Sequence, residues 1–351
     1  MATLQFEKTA LPVQAGRIVD ITPIEGTGSS TWLMLAEDGR LIRWNAGTLE
    51  WTDVAVCSLT SEAYPGRRWY EPKRRLHASP RSDFAAIVND YGQYGQIIDL
   101  RSGKVTLALD GGMYHPETVP FSFTFAEIGE RMVAIHRTDW NRLDVSDPVS
   151  GELLTDRDPT CYQRGEERPA HHLDYFHGAL SLSPGGTQIL DDGWAWHPVG
   201  IPAVWNLERW ISTNVWESED GLTRQTFGHR EDWDHAVTWI DERRIAVGVL
   251  DEEDWGMANG TGIFEVLALD RASPDPDAHG ASKTFPGPTG TFFSDGTWLF
   301  SSDKGGLSRW DPDSGERRDH LPDFQPTRHH RSARELAQLA DGTLVRMDLS
   351  K

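Results

Sequence analysis

Apolar runs of four to six residues recur along this chain, and many come in pairs separated by a tight polar turn. Trp298-Leu-Phe-Ser-Ser is followed by Asp303-Lys-Gly-Gly and then by Leu307-Ser-Arg309-Trp310-Asp311. The same unit stands near the start as Trp32-Leu-Met-Leu-Ala, Glu37-Asp38-Gly39 and Arg40-Leu-Ile-Arg43-Trp44-Asn45. Leu336 to Asp348 matches that first copy without a gap, with Asp341-Gly342 in the turn. Asp-Gly between short apolar runs is a strong hairpin signal, because both residues tolerate the positive φ that a tight turn needs. Near-identical hairpins at opposite ends of a chain predict a repeat architecture.

Each hairpin is flanked by further short strands. Arg17–Thr22 and Glu50–Val56 bracket the first copy, and Leu4–Ala10 stands apart as a spare strand. Comparable groups begin at Leu76, Phe121, Ala179 and Ala236, and two more hold the late hairpins. From Asn45 to Asp348 is 303 residues over six intervals, so the mean repeat is about 50 residues. Spacing alone allows six to eight units. The fourth and fifth carry long turns, Asp191–Ile201 and Asp251–Gly262, and stretches 157–173 and 271–288 read as loops because they lack apolar periodicity.

Four strands per unit, Ser79-Pro80 and Ser183-Pro184 near first turns, Asp in second turns, Trp-Asp or Trp-Asn closing third strands, and a Gly228-His229 dipeptide resemble the WD40-like and quinoprotein-like β-propellers. The resemblance covers nearly the whole chain. It implies an all-β, seven-bladed β-propeller with four antiparallel strands per blade, occupying residues 1–351 as one domain. It also implies that the last blade, which runs out of chain after its third strand, is completed by the N-terminal strand 4–10. Closing the ring removes the exposed sheet edges that would otherwise template aggregation.

Charge narrows the partners. With 54 acidic against 34 basic side chains the formal net charge is -20, which argues against nucleic acid, whose phosphates need clustered Lys and Arg. A basic or neutral partner fits better. Two cysteines, Cys57 and Cys161, make no disulfide framework. The N-terminus lacks a signal-peptide pattern, and no run approaches the roughly 18 apolar residues of a membrane span. These features predict a cytoplasmic protein, monomeric, with no membrane association and no cofactor.

In an up-and-down meander, the turn after each second strand and the connection into each first strand emerge on one face. Nine of the 13 histidines, among them His77, His115, His171, His172, His177, His235 and His329, precede a predicted first strand. The companion turns are acidic and aromatic, and eight of the 15 tryptophans fall between Trp194 and Trp255. The resemblance implies a structural role for many such residues, since a loop His and a turn Asp hydrogen-bond within a blade. Asp38, Asp303 and Asp341 in short turns fit that role, and Trp44, Trp205 and Trp310 fit blade-to-blade packing. Long turns exceed what a hairpin requires and are candidates for function. The expected binding residues are therefore Trp140, Asp191, Asp192, Trp194, Trp196, His197, Trp233, Asp254 and Trp255, engaging a protein or peptide partner from the loops of blades 4 and 5.

An alternative reading is a lyase or hydrolase acting at the axial mouth. His171, His172 and His235 would hold a metal, as axial histidines do in some seven-bladed propeller lyases, or Asp191, Asp192 and Asp254 would act as paired carboxylates. Adjacent histidines in a strand face opposite sides, and no HExxH, GxSxG or phosphate-loop motif is present. A basic island, Arg67, Arg68, Lys73, Arg74 and Arg75 with Trp69 and Tyr70, either clamps an anion or pairs with the acidic loops beside it.

Overall fold

The apolar runs become strands of seven antiparallel sheets arranged as blades. A computed structural model describes residues 5–62, 72–162, 165–196, 198–250, 260–268 and 280–350. Blade 1 comprises Ile18–Pro23, Thr31–Ala36, Arg40–Asn45 and Trp51–Val56, and blade 2 comprises Lys73–Ala78, Phe84–Asp90, Tyr94–Asp99 and Lys104–Asp110. Blade 3 has Phe123–Ile128, Arg131–Asp139 and Arg142–Ser146, its outer position reduced to one bridge between Ser146 and Leu153. Blade 4 is built on Phe176–Leu182, Gln188–Ala195, Ala203–Asn206 and Gln225–Thr226, with Val199–Gly200 as an added pair. Blade 5 comprises Val237–Trp239, Arg244–Leu250, Gly260–Glu265 and Lys283–Pro286, and blade 6 Thr291–Ser294, Leu299–Asp303, Gly306–Trp310 and Arg317–Leu321. Blade 7 joins Arg328–His330, Glu335–Ala340 and Thr343–Asp348 to the N-terminal strand Glu7–Ala10.

Closure is antiparallel, with Glu7 opposite Arg346 and Ala10 opposite Thr343. The first strands of successive blades neighbour one another around the axis, and blade 1 meets blade 7 through Ile18–Pro23 and Arg328–His330.

Packing explains why the apolar runs are continuous instead of alternating. Thr31–Ala36 is buried at every position. Trp32, Met34 and Ala36 pack with Ala337 and Leu344 of blade 7, whereas Leu33 and Leu35 pack with Leu76, Ala85 and Ile87 of blade 2. Successive side chains of a strand point to opposite faces, and each face of a blade is covered by its neighbour. An apolar cluster of this kind fills each of the seven junctions. At roughly 1.5–3 kcal/mol for each fully buried aliphatic or aromatic side chain, these interfaces dominate the stability of the ring.

Three local features depart from the sequence reading. Asp191–Ala195 continues the second strand of blade 4 and does not open a long turn. After Asn206 the chain enters a short helix, Leu207–Ser212, because the Asn206 side chain accepts from the Arg209 amide at 2.8 Å as an N-cap. Lys283–Pro286, within a stretch read as loop, is the outer strand of blade 5.

Candidate binding face

The connections into blades 3, 4 and 5 and the second-strand ends of blades 3 and 4 meet on one face of the ring. Trp140 stands in the turn after Arg131–Asp139. Trp194 lies in the second strand of blade 4, Phe176 begins its first strand, and Trp233 comes from the connection into blade 5. Tyr114 comes from the connection into blade 3, where His115 adopts the left-handed conformation (φ 47°) and Pro116–Thr118 forms a 3-10 turn.

These residues build a stack of four rings. Tyr114 to Phe176 is 5.9 Å at 19°, Phe176 to Trp194 is 4.5 Å at 10°, and Trp194 to Trp233 is 4.3 Å at 13°. Trp140 leans on Phe176 at 4.7 Å and on Tyr114 at 5.2 Å. Trp196 stands edge-on to Trp194, Phe176 and His115 at 5.1–5.7 Å. Phe176 and Trp194 are buried at the base, whereas Trp196 is 37% exposed, Tyr114 46% and Met113 80%. Trp233 is anchored by its Nε1, which donates to the Thr118 carbonyl at 2.6 Å. Rings of this size held against one another lose little side-chain freedom on binding, and their exposed edges offer apolar area at low entropic cost.

Beneath the stack lies a layer of paired charges. His177 Nδ1 is 2.6 Å from Asp191 Oδ2, both fully buried, and the other carboxylate oxygen accepts from the Gly178 amide at 2.8 Å. A β-bulge between Phe176 and Ala179 makes this possible, and Gly178 is required because a Cβ there would collide with the Asp192 carbonyl. Asp192 pairs with the buried Arg230; burial pushes its carboxyl pKa up even though Arg230 pulls it down. Tyr91 donates its hydroxyl to Asp234, a link from blade 2 to blade 5 across the axis. Burial raises the pKa of both partners. Arg75 pairs with Asp90 and Arg328 with Asp20 around the same mouth.

Of the residues expected from the sequence, Trp140, Trp194, Trp196 and Trp233 lie together in the aromatic cluster. Asp191 and Asp192 are buried under it with their own partners and do not face solvent. His197, Asp254 and Trp255 lie outside the described residues, as do Arg67, Arg68, Trp69 and Tyr70 of the basic island. His171 bonds Asp220 at 2.8 Å and stacks on Trp216, His172 bonds the Thr160 carbonyl at 2.7 Å, and burial lowers the pKa of His235. Among the described residues no three His, Cys, Asp or Glu side chains come together as a metal site would. Sequence reasoning missed Tyr114 and Phe176. The available signal was their position just before first strands, the same position by which the histidines were sorted.

No family model matches the chain, and no curated protein matches it. Solved structures do. A chain of the crystal structure of a mitotic checkpoint complex superposes with a TM-score of 0.56 at 12% identity, covering 99% of this chain and 92% of that one. The Myceliophteria thermophila Cps50 (Swd1) β-propeller domain superposes with a TM-score of 0.59 at 12% identity, covering 97% and 99%. At such identity the likeness is one of fold alone: a seven-bladed β-propeller.

Proposed function

We propose that this protein is a non-catalytic interaction platform that binds a protein or peptide partner on the face formed by the loops of blades 3, 4 and 5. The observation that carries this reading is the four-ring stack from Tyr114 to Trp233, with Trp196 and Tyr114 partly exposed at its edge. A cluster of exposed aromatic residues on a rigid base has the make-up of a binding hot spot, and a monomer gains nothing from leaving it open to water. Propellers of this type commonly serve as protein-interaction platforms, and one of the structural neighbours is itself part of a complex. The net charge of -20 favours a basic or neutral partner surface.

The test is affinity capture with the full chain against a variant carrying Tyr114→Ala, Trp140→Ala and Trp196→Ala. The variant is expected to lose the specific partners, with affinity reduced at least a hundredfold, since hot-spot truncations cost about 2 kcal/mol or more each. Its thermal midpoint should fall by only a few degrees, because Phe176 and Trp194 at the base are untouched. Retention of the same partners at wild-type affinity would place the interaction elsewhere.

A further inference from the structure

The opposite face of the ring holds a feature that the aromatic face does not explain. We propose that a cavity there binds a small organic anion, an oxyanion group on an apolar body, with Arg331 as the residue that recognises the charge. The cavity measures about 180 Å³, and its lining, contributed by blades 4, 5, 6 and 7, includes Pro184, Trp239, Ile240, Asp295, His329, Arg331 and Arg334.

Arg331 crosses the floor of this face. Its Nη1 donates to the Leu182 carbonyl of blade 4 at 3.4 Å, a reach from blade 7 to the far side of the axis. A guanidinium has five N–H donors, and among the described residues a single carbonyl takes one of them, which leaves the others facing solvent. Among the described residues it has no carboxylate at ion-pair distance. The other arginines around the axis differ: Arg75, Arg230 and Arg328 are each paired with an aspartate.

The acids nearest the cavity are committed to holding loops. Glu25 accepts from the Arg331 and Ser332 amides at 2.9 and 2.7 Å and lies 3.5 Å from His330. Asp295 accepts from the Thr297 and Trp298 amides at 2.9 and 2.8 Å. Glu242, the remaining carboxylate that acts on Arg331, lies against Gly185. Arg331 is exposed to solvent on this face, with Glu25 and Glu242 the carboxylates that act on it from a distance. His329 is pushed down to about 4, chiefly by burial and then by Arg331, so it is neutral at pH 7 and adds a hydrogen-bonding nitrogen without charge.

These features select the ligand class. A guanidinium fork matches a carboxylate or a phosphate monoester in bidentate fashion. Trp239, Ile240 and Pro184 provide an apolar wall for the rest of the molecule. The volume suits a ligand about the size of one ring, not a polymer.

Calorimetric titration of the full chain with benzoate, phenyl phosphate and inorganic phosphate tests the assignment. Benzoate or phenyl phosphate is expected to bind at one site per chain, at least tenfold more tightly than inorganic phosphate, because only the organic anions bury apolar area. Arg331→Gln should weaken that binding by roughly ten- to a hundredfold, the worth of a charge-assisted hydrogen-bond pair. Arg334→Ala should weaken it less, and the Trp196→Ala change on the other face should leave it unchanged. If Arg331→Gln lowers the thermal midpoint of the free protein, Arg331→Lys keeps the charge without the fork, and a tenfold weaker titration supports the proposal. Absence of saturable binding for all three probes, or wild-type binding by the Arg331 variants, overturns it. A short peptide binding through its terminal carboxylate more tightly than benzoate would also overturn the small-molecule assignment.

Discussion

His77 shows what ring closure does to a single residue. It precedes the first turn of blade 2, packs against Phe123 at 5.0 Å, and keeps a buried Nε2 with no hydrogen-bond partner among the described residues. Burial, reinforced by the charges of Arg75 and Arg328, pushes its pKa from 6.5 down to about 3. The unfolded chain therefore takes up a proton at His77 at a pH where the folded protein does not. Stability is full above pH 6.5 and is lost as pH falls toward 3, at about 1.4 kcal/mol per pH unit inside that window. His329, pushed down to about 4, acts in the same direction. The expected outcome is that His77→Phe lowers the slope of unfolding free energy against pH by about 1.4 kcal/mol per unit between pH 6 and 4. Urea denaturation across that range measures it, and an unchanged slope would show that His77 titrates normally.

Among the elements, the N-terminal strand has the largest effect for its size. Glu7–Ala10 is mostly exposed, so its own burial contributes little. What it supplies is pairing: it covers the edge of Thr343–Asp348, and Leu11, whose amide donates to the Gly342 carbonyl at 2.9 Å, packs into the junction between blades 1 and 7. Deleting residues 1–11 removes about four backbone hydrogen bonds, one core leucine and the Phe6 ring that stacks on Phe324. The expected loss is on the order of 4–6 kcal/mol, with concentration-dependent association through the bared edge. Chemical denaturation and light scattering of the truncated chain test both parts, and a truncated chain as stable and as monodisperse as the intact one would contradict this role for the strand.

At the scale of the whole molecule, the ring is tied across its axis as well as around its circumference. Tyr91 and Asp234 belong to blades that are not neighbours, and both hold positive φ, 59° and 57°, which an L-residue adopts only when its surroundings compensate. Trp233, next in sequence to Asp234, makes a second crossing to Thr118. These two straps fix the connection into blade 5 and with it one end of the aromatic stack. Tyr91→Phe is expected to reduce stability by about 1.5–3 kcal/mol, the worth of a hydrogen bond to a charged acceptor. It should also raise hydrogen exchange in residues 230–236 ahead of the rest of the ring. Equal protection in variant and wild type would mean that the neighbouring packing holds this loop without the strap.

Local chemistry made the blades readable. The Asp-Gly and Gly-Gly turns, the continuous apolar runs and the 303-residue offset between Leu33 and Leu336 need only neighbouring residues to be meaningful. From them the repeat follows, whereas the count of seven blades and closure by the N-terminal strand come with the resemblance to known propellers. Half of the candidate face was visible in the same way, because Trp140, Trp194, Trp196 and Trp233 stand in or beside identifiable turns. The rest depended on the fold. Asp191-Asp192-Gly193 reads locally as a turn, yet the strand runs through it, because the paired cation of Asp192 is the distant Arg230 and the His177 that meets Asp191 comes from a neighbouring strand. Tyr114 and Trp233 lie far apart in sequence and become the two ends of one stack only when the ring brings three connections together. A turn is decided by the torsions of a few residues, whereas a binding face is decided by which loops the closed ring places side by side.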